Sequence, residues 1–228
     1  MIHQLIFAHP KPGMSEQEFQ QYWLETHAPQ FASRIPQIKR YLIDTRIPFG
    51  PEPADPLWSG IAEIWLENEE EQLASLQTPE FLDGARRDEP NWAAFWRTVV
   101  LDTDAHVLRA EPVPDQAVKL VVLVKRSPGA DLEDFRKRSL GEHAQTVLRI
   151  PGLRRYLQNH NRDGAYAIGE AVLDAAYQLT FDSLEALELA SRGEAFQAAF
   201  EDLESFVDPR YIHRMAVREH WVIGSADQ

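Results

Sequence analysis

The chain contains no cysteine. That absence excludes disulfides, thiolate zinc and iron–sulfur sites, cysteine nucleophiles and covalently attached c-type haem. Long apolar runs are missing too. The densest, Val118–Val124, is broken by Lys119 and falls far short of the ~20 residues that span a bilayer. The first residues lack the basic stretch and small-residue cleavage site of a secretory signal, so a cytoplasmic location is expected. Cations are scarce relative to anions, 23 Lys and Arg against 36 Asp and Glu, for a net charge of −13. A field of that sign repels phosphate backbones and anionic headgroups, so neither nucleic acid nor a membrane is expected as a partner. No phosphate loop, G-x-G-x-x-G, H-E-x-x-H or G-x-S-x-G motif occurs. What remains is ordinary: 228 residues, 44% hydrophobic and 26% charged, enough for one large domain or two small ones with proper cores.

The most informative feature is self-similarity. Residues 34–42 read RIPQIKRYL and residues 149–157 read RIPGLRRYL, identical at six of nine positions. Upstream, Pro12-Gly13, Phe19 and His27-Ala28 recur as Pro128-Gly129, Phe135 and His143-Ala144, at an offset of 116. Downstream, Leu66-Glu67-Asn68 faces Phe181-Asp182-Ser183 and Phe81 faces Phe196, at an offset of 115. The chain is therefore read as two copies of one unit, residues 1–110 and 117–225, joined by Glu111-Pro112-Val113-Pro114-Asp115. Two copies are too few for a solenoid, which needs three or more stacked repeats.

Each copy reads as β-α-β-β-α-β. Ile2–Ala8 and Val118–Val124 are rich in β-branched and apolar residues and end near Pro and Gly, as strands do. Ser15 and Glu18 have capping-box spacing, and Asp131 takes the N-cap position in the second copy. Phe19, Trp23, His27 and Phe31 form one inward stripe. Second strands begin near Arg40-Tyr41 and Arg155-Tyr156, and third strands alternate over 61–66 and 177–181. Helical stretches over 69–96 and 184–206 follow, with closing strands near 99–101 and 215–222. This is the split βαβ, ferredoxin-like plan, an α+β class. The long connections 44–58 and 159–173, the first rich in Pro and the second in Asn and Gly, are candidate lids or plain solvated insertions.

The sequence of features (a strand, Lys-Pro-Gly or Ser-Pro-Gly, a helix with an early Phe and a closing His-Ala, then Ile-Pro-x-Ile/Leu-x-Arg-Tyr) resembles the EthD family over nearly the whole chain. The resemblance implies the dimeric α+β-barrel superfamily, in which two ferredoxin-like units pack sheet against sheet. A tandem chain would form that barrel intramolecularly, which agrees with the need to bury each sheet's second face; a homodimer of the tandem chain is compatible with it. The superfamily includes cofactor-free lactone isomerases, polyketide cyclases, quinol monooxygenases and, more distantly, haem enzymes. Fold analogy alone does not choose among them.

The candidate chemistry is histidine chemistry. His27 and His143 end their helices, where the dipole favours a charged imidazole and the ordinary pKa suits proton transfer; the alternative is a helix-capping role. Tyr41 and Tyr156 begin the second strands, and a phenol there can hold a carbonyl or enolate oxygen. The resemblance to lactone isomerases pairs His27 with Tyr41 as acid and base. On the third strand Glu63 and Trp65 share the face expected toward the barrel, with Gln178 and Thr180 as counterparts, so Glu63 is a candidate to orient His27 or to act as base; the alternative is a plain hydrogen-bonding role at the barrel mouth. Trp23, Trp65, Phe49 and Gln178 are candidate substrate contacts. His3 and His9 face Lys119 and Lys125 in the other copy, so no duplicated metal cage is expected; a metal held by His27 and a carboxylate stays open. The expectation is an isomerase- or lyase-type enzyme, working without a cofactor in the catabolism of a small apolar oxygenated molecule. The alternatives are a cofactor-free or haem monooxygenase, or a non-catalytic ligand-binding barrel.

Overall fold

The computed structural model describes residues 1–225. They divide into two compact units, Met1–Asp102 with the chain from Glu219 onward, and Thr103–Arg218. In the first, β1 (Ile2–Ala8) leads to α1 (Glu16–Tyr22), a π turn over Trp23–His27 and α2 (Ala28–Gln30). Strands β2 (Arg40–Ile47) and β3 (Gly60–Leu66) follow, then α3 (Glu69–Ser75), a second π turn over Glu80–Ala85, α4 (Arg86–Asp88) and β4 (Val99–Ala110). In the second unit, β5 (Val118–Val124) precedes α5 (Leu132–Arg138), a π turn over Ser139–His143 and α6 (Ala144–Val147). Then come β6 (Arg155–Asn161), β7 (Ala175–Phe181), α7 (Leu184–Ser191), α8 (Glu194–Glu204) and β8 (His213–Ile223).

The fold is α+β, one ferredoxin-like unit per repeat. In unit 1 the strand order is β4-β1-β3-β2-β8, with β3 antiparallel to both β1 and β2. In unit 2 it is β4-β6-β7-β5-β8, all antiparallel pairs. β4 and β8 appear in both orders because each runs from one unit into the other. β4 is 12 residues long, far beyond the three expected at 99–101, so Thr103–Ala110 joins the sheet of unit 2. Conversely the last residues of β8 belong to unit 1. The compact units thus exchange strand ends relative to the repeats read at 1–110 and 117–225. A strand boundary follows hydrogen-bond pairing, which repeat alignment does not detect.

Local chemistry explains most of the elements. The Ser15–Glu18 capping box forms in full, and Asp131 accepts from Glu133 and Asp134 N–H. The stripe Phe19–Trp23–His27 buries as expected. Spacing of four residues drifts by about 40° per step on a regular helix, and the π turn at Trp23–His27 takes up part of that drift. The long helix expected over 69–96 is broken at Thr78-Pro79 and Glu89-Pro90, where proline removes a donor; its partner breaks at Gly193. Gly60 opens β3 where a Cβ would stand 2.7 Å from the Asp44 carbonyl oxygen and 2.9 Å from the Trp23 ring. Among the described residues, no helix is long and apolar enough to cross a membrane.

Candidate active site

In unit 1 the π turn delivers His27, buried, against α4. Its Nδ1 lies 2.9 Å from Asp88 Oδ2. The other carboxylate oxygen accepts from the Tyr22 hydroxyl at 2.8 Å and from Asn91 Nδ2 at 2.9 Å. A carboxylate can only accept, so Nδ1 carries the proton and Nε2 keeps its lone pair. Trp92 Nε1 stands 3.1 Å from the same Nδ1, but that nitrogen cannot accept while it donates to Asp88. Trp92 instead serves as a wall, its ring 4.5 Å from the imidazole and packed on Phe19 and Trp23. Burial works to raise the Asp88 carboxyl, but hydrogen bonds from Asn91, His27 and Tyr22 together outweigh it and hold it below its ordinary value. Burial pushes the His27 imidazole down, with Asp88 opposing.

Unit 2 repeats the dyad. His143 Nδ1 lies 2.8 Å from Asp202 Oδ2 on α8, and Phe206 packs edge-on at 5.3 Å where Trp92 stands in unit 1. Arg138, at the position of Tyr22, reaches Asp202 Oδ1 at 3.4 Å and Ser205 Oγ at 2.6 Å. His143 is likewise held below its ordinary pKa, chiefly by burial, with Asp202 opposing and Arg138 adding a small push downward. The two sites therefore differ in the charge around the aspartate: neutral donors in unit 1, a guanidinium in unit 2.

Asp88 and Asp202 were absent from the sequence-derived site. They are offset by 114, while Phe81 and Phe196 just upstream are offset by 115. The missing residue is the π turn Glu80–Ala85, one residue inserted into what unit 2 keeps as a regular helix. Allowing that gap would have aligned the two aspartates.

The remaining candidates fall elsewhere. Tyr41 is buried and its hydroxyl accepts from Trp23 Nε1 at 3.1 Å; burial drives its pKa far up. Its bond to Trp23, not to His27, makes it a support for the aromatic wall. Tyr156 accepts from Gln158 Nε2 at 2.6 Å, and burial raises it likewise. Tyr156, Tyr177 and His143 line one narrow cavity of ≈ 10 Å³, about the room for one water. Glu63 is paired with His3 at 2.6 Å, both buried, so Asp88 takes the orienting position beside His27. Trp65 stacks on His3 at 4.2 Å and lies under Arg40, on the sheet face opposite the His27 core. Gln178 is buried on the corresponding face of unit 2. Phe49 is half-buried in the β2–β3 loop, its N–H directed at Glu52.

The interiors beneath the two helices are exchanged in kind. Where unit 1 places Trp23 beside Ala62, unit 2 places Ser139 beside Tyr177, joined at 2.6 Å. Ser139 also donates to Gln158 at 2.7 Å, and His160 Nε2 meets the same amide oxygen at 2.9 Å. Burial, with His106 and Arg136 nearby, pushes His160 down to about 3. A large and a small side chain swap places, and the core of unit 2 becomes a polar network.

The EthD domain model matches residues 11–95 and 127–210, one match per repeat and about three-quarters of the chain. This chain belongs to the EthD family. Each match contains one complete His–Asp dyad. Solved structures share the fold of the whole chain. An anthrone oxidase-like protein is 12% identical with a TM-score of 0.66, covering 99% of this chain and 94% of that one. A "putative monooxygenase" of Fusobacterium nucleatum is 7% identical with a TM-score of 0.62, covering 96% and 91%. Another "putative monooxygenase", from Lactobacillus acidophilus, is 14% identical with a TM-score of 0.56, covering 96% and 94%. At these identities the likeness is one of fold. No curated protein matches this EthD chain.

Proposed function

We propose that this EthD protein is an enzyme that moves a proton on a small, largely apolar oxygenated molecule. The outcome is isomerisation, elimination or cyclisation next to a carbonyl. The observation that carries the reading is the duplicated dyad: an imidazole fixed at Nδ1 by a carboxylate that donors themselves hold, with Nε2 carrying a lone pair. That is the arrangement of a general base oriented by a third group. Asp88 fixes the tautomer and stabilises the imidazolium once Nε2 has taken a proton. Burial keeps His27 neutral near pH 7 and thus ready to accept.

His27 is the leading base. Its imidazole packs on Trp92, which packs in turn on Trp23 and Phe19, an apolar surface that an aromatic or alicyclic substrate would extend. Tyr41 positions Trp23, and Tyr22 and Asn91 position Asp88. His143, with Arg138 behind its aspartate, is the weaker base of the two. Proton removal from an activated carbon is also how a base prepares a carbanion for reaction with O₂, the outcome that the oxidase and monooxygenase names of the fold neighbours suggest. The two outcomes differ in whether O₂ is consumed.

The test is hydrogen–deuterium exchange into a panel of enolisable ketones, lactones and anthrone-like phenolic compounds in D₂O, read by NMR, with an oxygen electrode in parallel. Exchange that depends on His27 supports the reading, and oxygen uptake assigns it to the oxidative branch. Exchange and uptake at the uncatalysed rate across the panel would leave a ligand-binding role in its place.

A further inference from the structure

A cleft of ≈ 950 Å³ opens in unit 2 beyond the end of β5, lined among others by Lys125, Arg126, Leu132, Val172, Arg210 and Tyr211. Behind its two lining cations, Lys125 and Arg126, lies Asp174, fully buried. Arg126 Nη1 reaches Asp174 at 2.5 Å, the Arg126 backbone N–H donates to it at 2.7 Å, and the Tyr166 hydroxyl donates at 2.6 Å. Lys125 Nζ lies 3.3 Å from the same carboxylate. One buried anion thus faces two cations. The second anion comes from the β6–β7 loop: Glu170, its side chain 65% exposed, takes Arg126 Nη2 on one oxygen and Lys125 Nζ on the other, each at 2.7 Å.

We infer that Lys125 and Arg126 form a carboxylate-binding site that Glu170 fills as an internal stand-in, and that a small apolar monocarboxylate binds there by displacing it. Both cations are held without Glu170. Arg126 Nε donates to the Ala130 carbonyl and Lys125 Nζ to the Ala171 carbonyl, each at 2.9 Å. The fork is therefore set before any ligand arrives, which lowers the ordering cost of binding. Glu170 is 65% exposed and makes no contact to the cations that another carboxylate could not make, so its advantage over an incoming ligand is chiefly that of being tethered. Once Glu170 withdraws, Lys125, Arg126 and Arg210 are matched by Asp131, Asp174 and Asp208, and an incoming carboxylate meets no net repulsion. Leu132, Val172 and Tyr211 give its apolar part a surface.

Unit 1 also sets a loop carboxylate against two basic side chains. Asp55, 72% exposed on the β2–β3 loop, meets His9 Nε2 at 3.1 Å and Arg97 at 3.2 Å; His9 is the repeat counterpart of Lys125.

The experiment titrates benzoate, and benzamide as its neutral isostere, into the full chain and into Glu170→Gln, followed by amide NMR shifts. A tethered competitor acts at roughly millimolar effective concentration or above. The account therefore expects Glu170→Gln to bind benzoate at least about tenfold more tightly than the unaltered chain. Benzamide should gain nothing, and the shifts should centre on 125–132, 170–172 and 208–211. Lys125→Met in the Glu170→Gln background should abolish the gain; if that variant does not fold, the benzoate–benzamide contrast still decides. Equal benzoate affinity with and without Glu170, equal gain for benzamide, or shifts centred elsewhere would overturn the inference.

Discussion

Replacing Asp88 by alanine probes the dyad of unit 1 most sharply, because its partners are counted and its surroundings are dry. The Asp88 side chain is 5% exposed and accepts from three donors, His27 Nδ1, Tyr22 and Asn91. Alanine leaves buried His27 and half-buried Tyr22 without their acceptor, while exposed Asn91 can turn to water; at about 1–3 kcal/mol for each unsatisfied donor the loss is about 2–6 kcal/mol. Asp202 is 24% exposed. Of its two donors, Arg138 is part-exposed and keeps Ser205, so only the buried His143 is stranded, and Asp202→Ala should cost nearer 1–3 kcal/mol, the range for one unsatisfied buried donor. The assay is built into the sequence. All six tryptophans, at 23, 58, 65, 92, 96 and 221, belong to unit 1, so tryptophan fluorescence in a urea titration follows that unit while far-UV circular dichroism follows both. Asp88→Ala should lower the fluorescence midpoint strongly and Asp202→Ala should lower the dichroism midpoint less. A loss below about 1 kcal/mol for Asp88→Ala, or equal losses for the two, would refute the reasoning.

Three further outcomes are expected. In the proton-exchange assay His27→Ala should lose about 10²–10⁴ in rate, the usual contribution of a general base, and His143→Ala less than about tenfold; equal losses would mean two equivalent sites. Gly60→Ala forces a Cβ to 2.7 Å from the Asp44 carbonyl oxygen and should cost about 1–3 kcal/mol, whereas Gly141→Ala, in a helical turn with nothing within 4 Å, should stabilise by about 0.5–1 kcal/mol; thermal midpoints measure both. Finally, His27, His143 and His160 are all pushed below their ordinary pKa by burial. The unfolded chain then binds more protons than the folded one just below the ordinary histidine range, so this contribution to stability is full above about pH 6.5 and is lost as pH falls toward about 3. A urea midpoint unchanged between pH 7 and pH 5 would contradict it.

The repeat RIPQIKRYL/RIPGLRRYL, the strand patterns and the capping boxes made the ferredoxin-like units legible, because periodicity and caps are local. The extent of β4 was not legible. Thr103–Ala110 is polar and half-exposed, and only its pairing with β6 makes it a strand. The histidines were legible because both repeats keep them at one offset. Their aspartates were hidden by a single inserted residue at the Glu80–Ala85 π turn. Assigning Glu63 to His27 failed for a simpler reason: alternation places Glu63 on the sheet face of His3, and a strand face cannot reach the helix layer on the other side. Tyr41 lies on the correct face, but its hydroxyl oxygen accepts from Trp23 Nε1, a contact that no spacing rule predicts.

The central claim is that each dyad presents a neutral imidazole protonated at Nδ1 with an open Nε2. Long-range ¹⁵N–¹H correlation spectra of the uniformly labelled chain at pH 7, assigned with His27→Ala and His143→Ala, read this directly. Nδ1 should show a protonated, pyrrole-like shift and Nε2 an unprotonated, pyridine-like shift for both histidines. A protonated Nε2, or an imidazolium at pH 7 for both, would contradict the account.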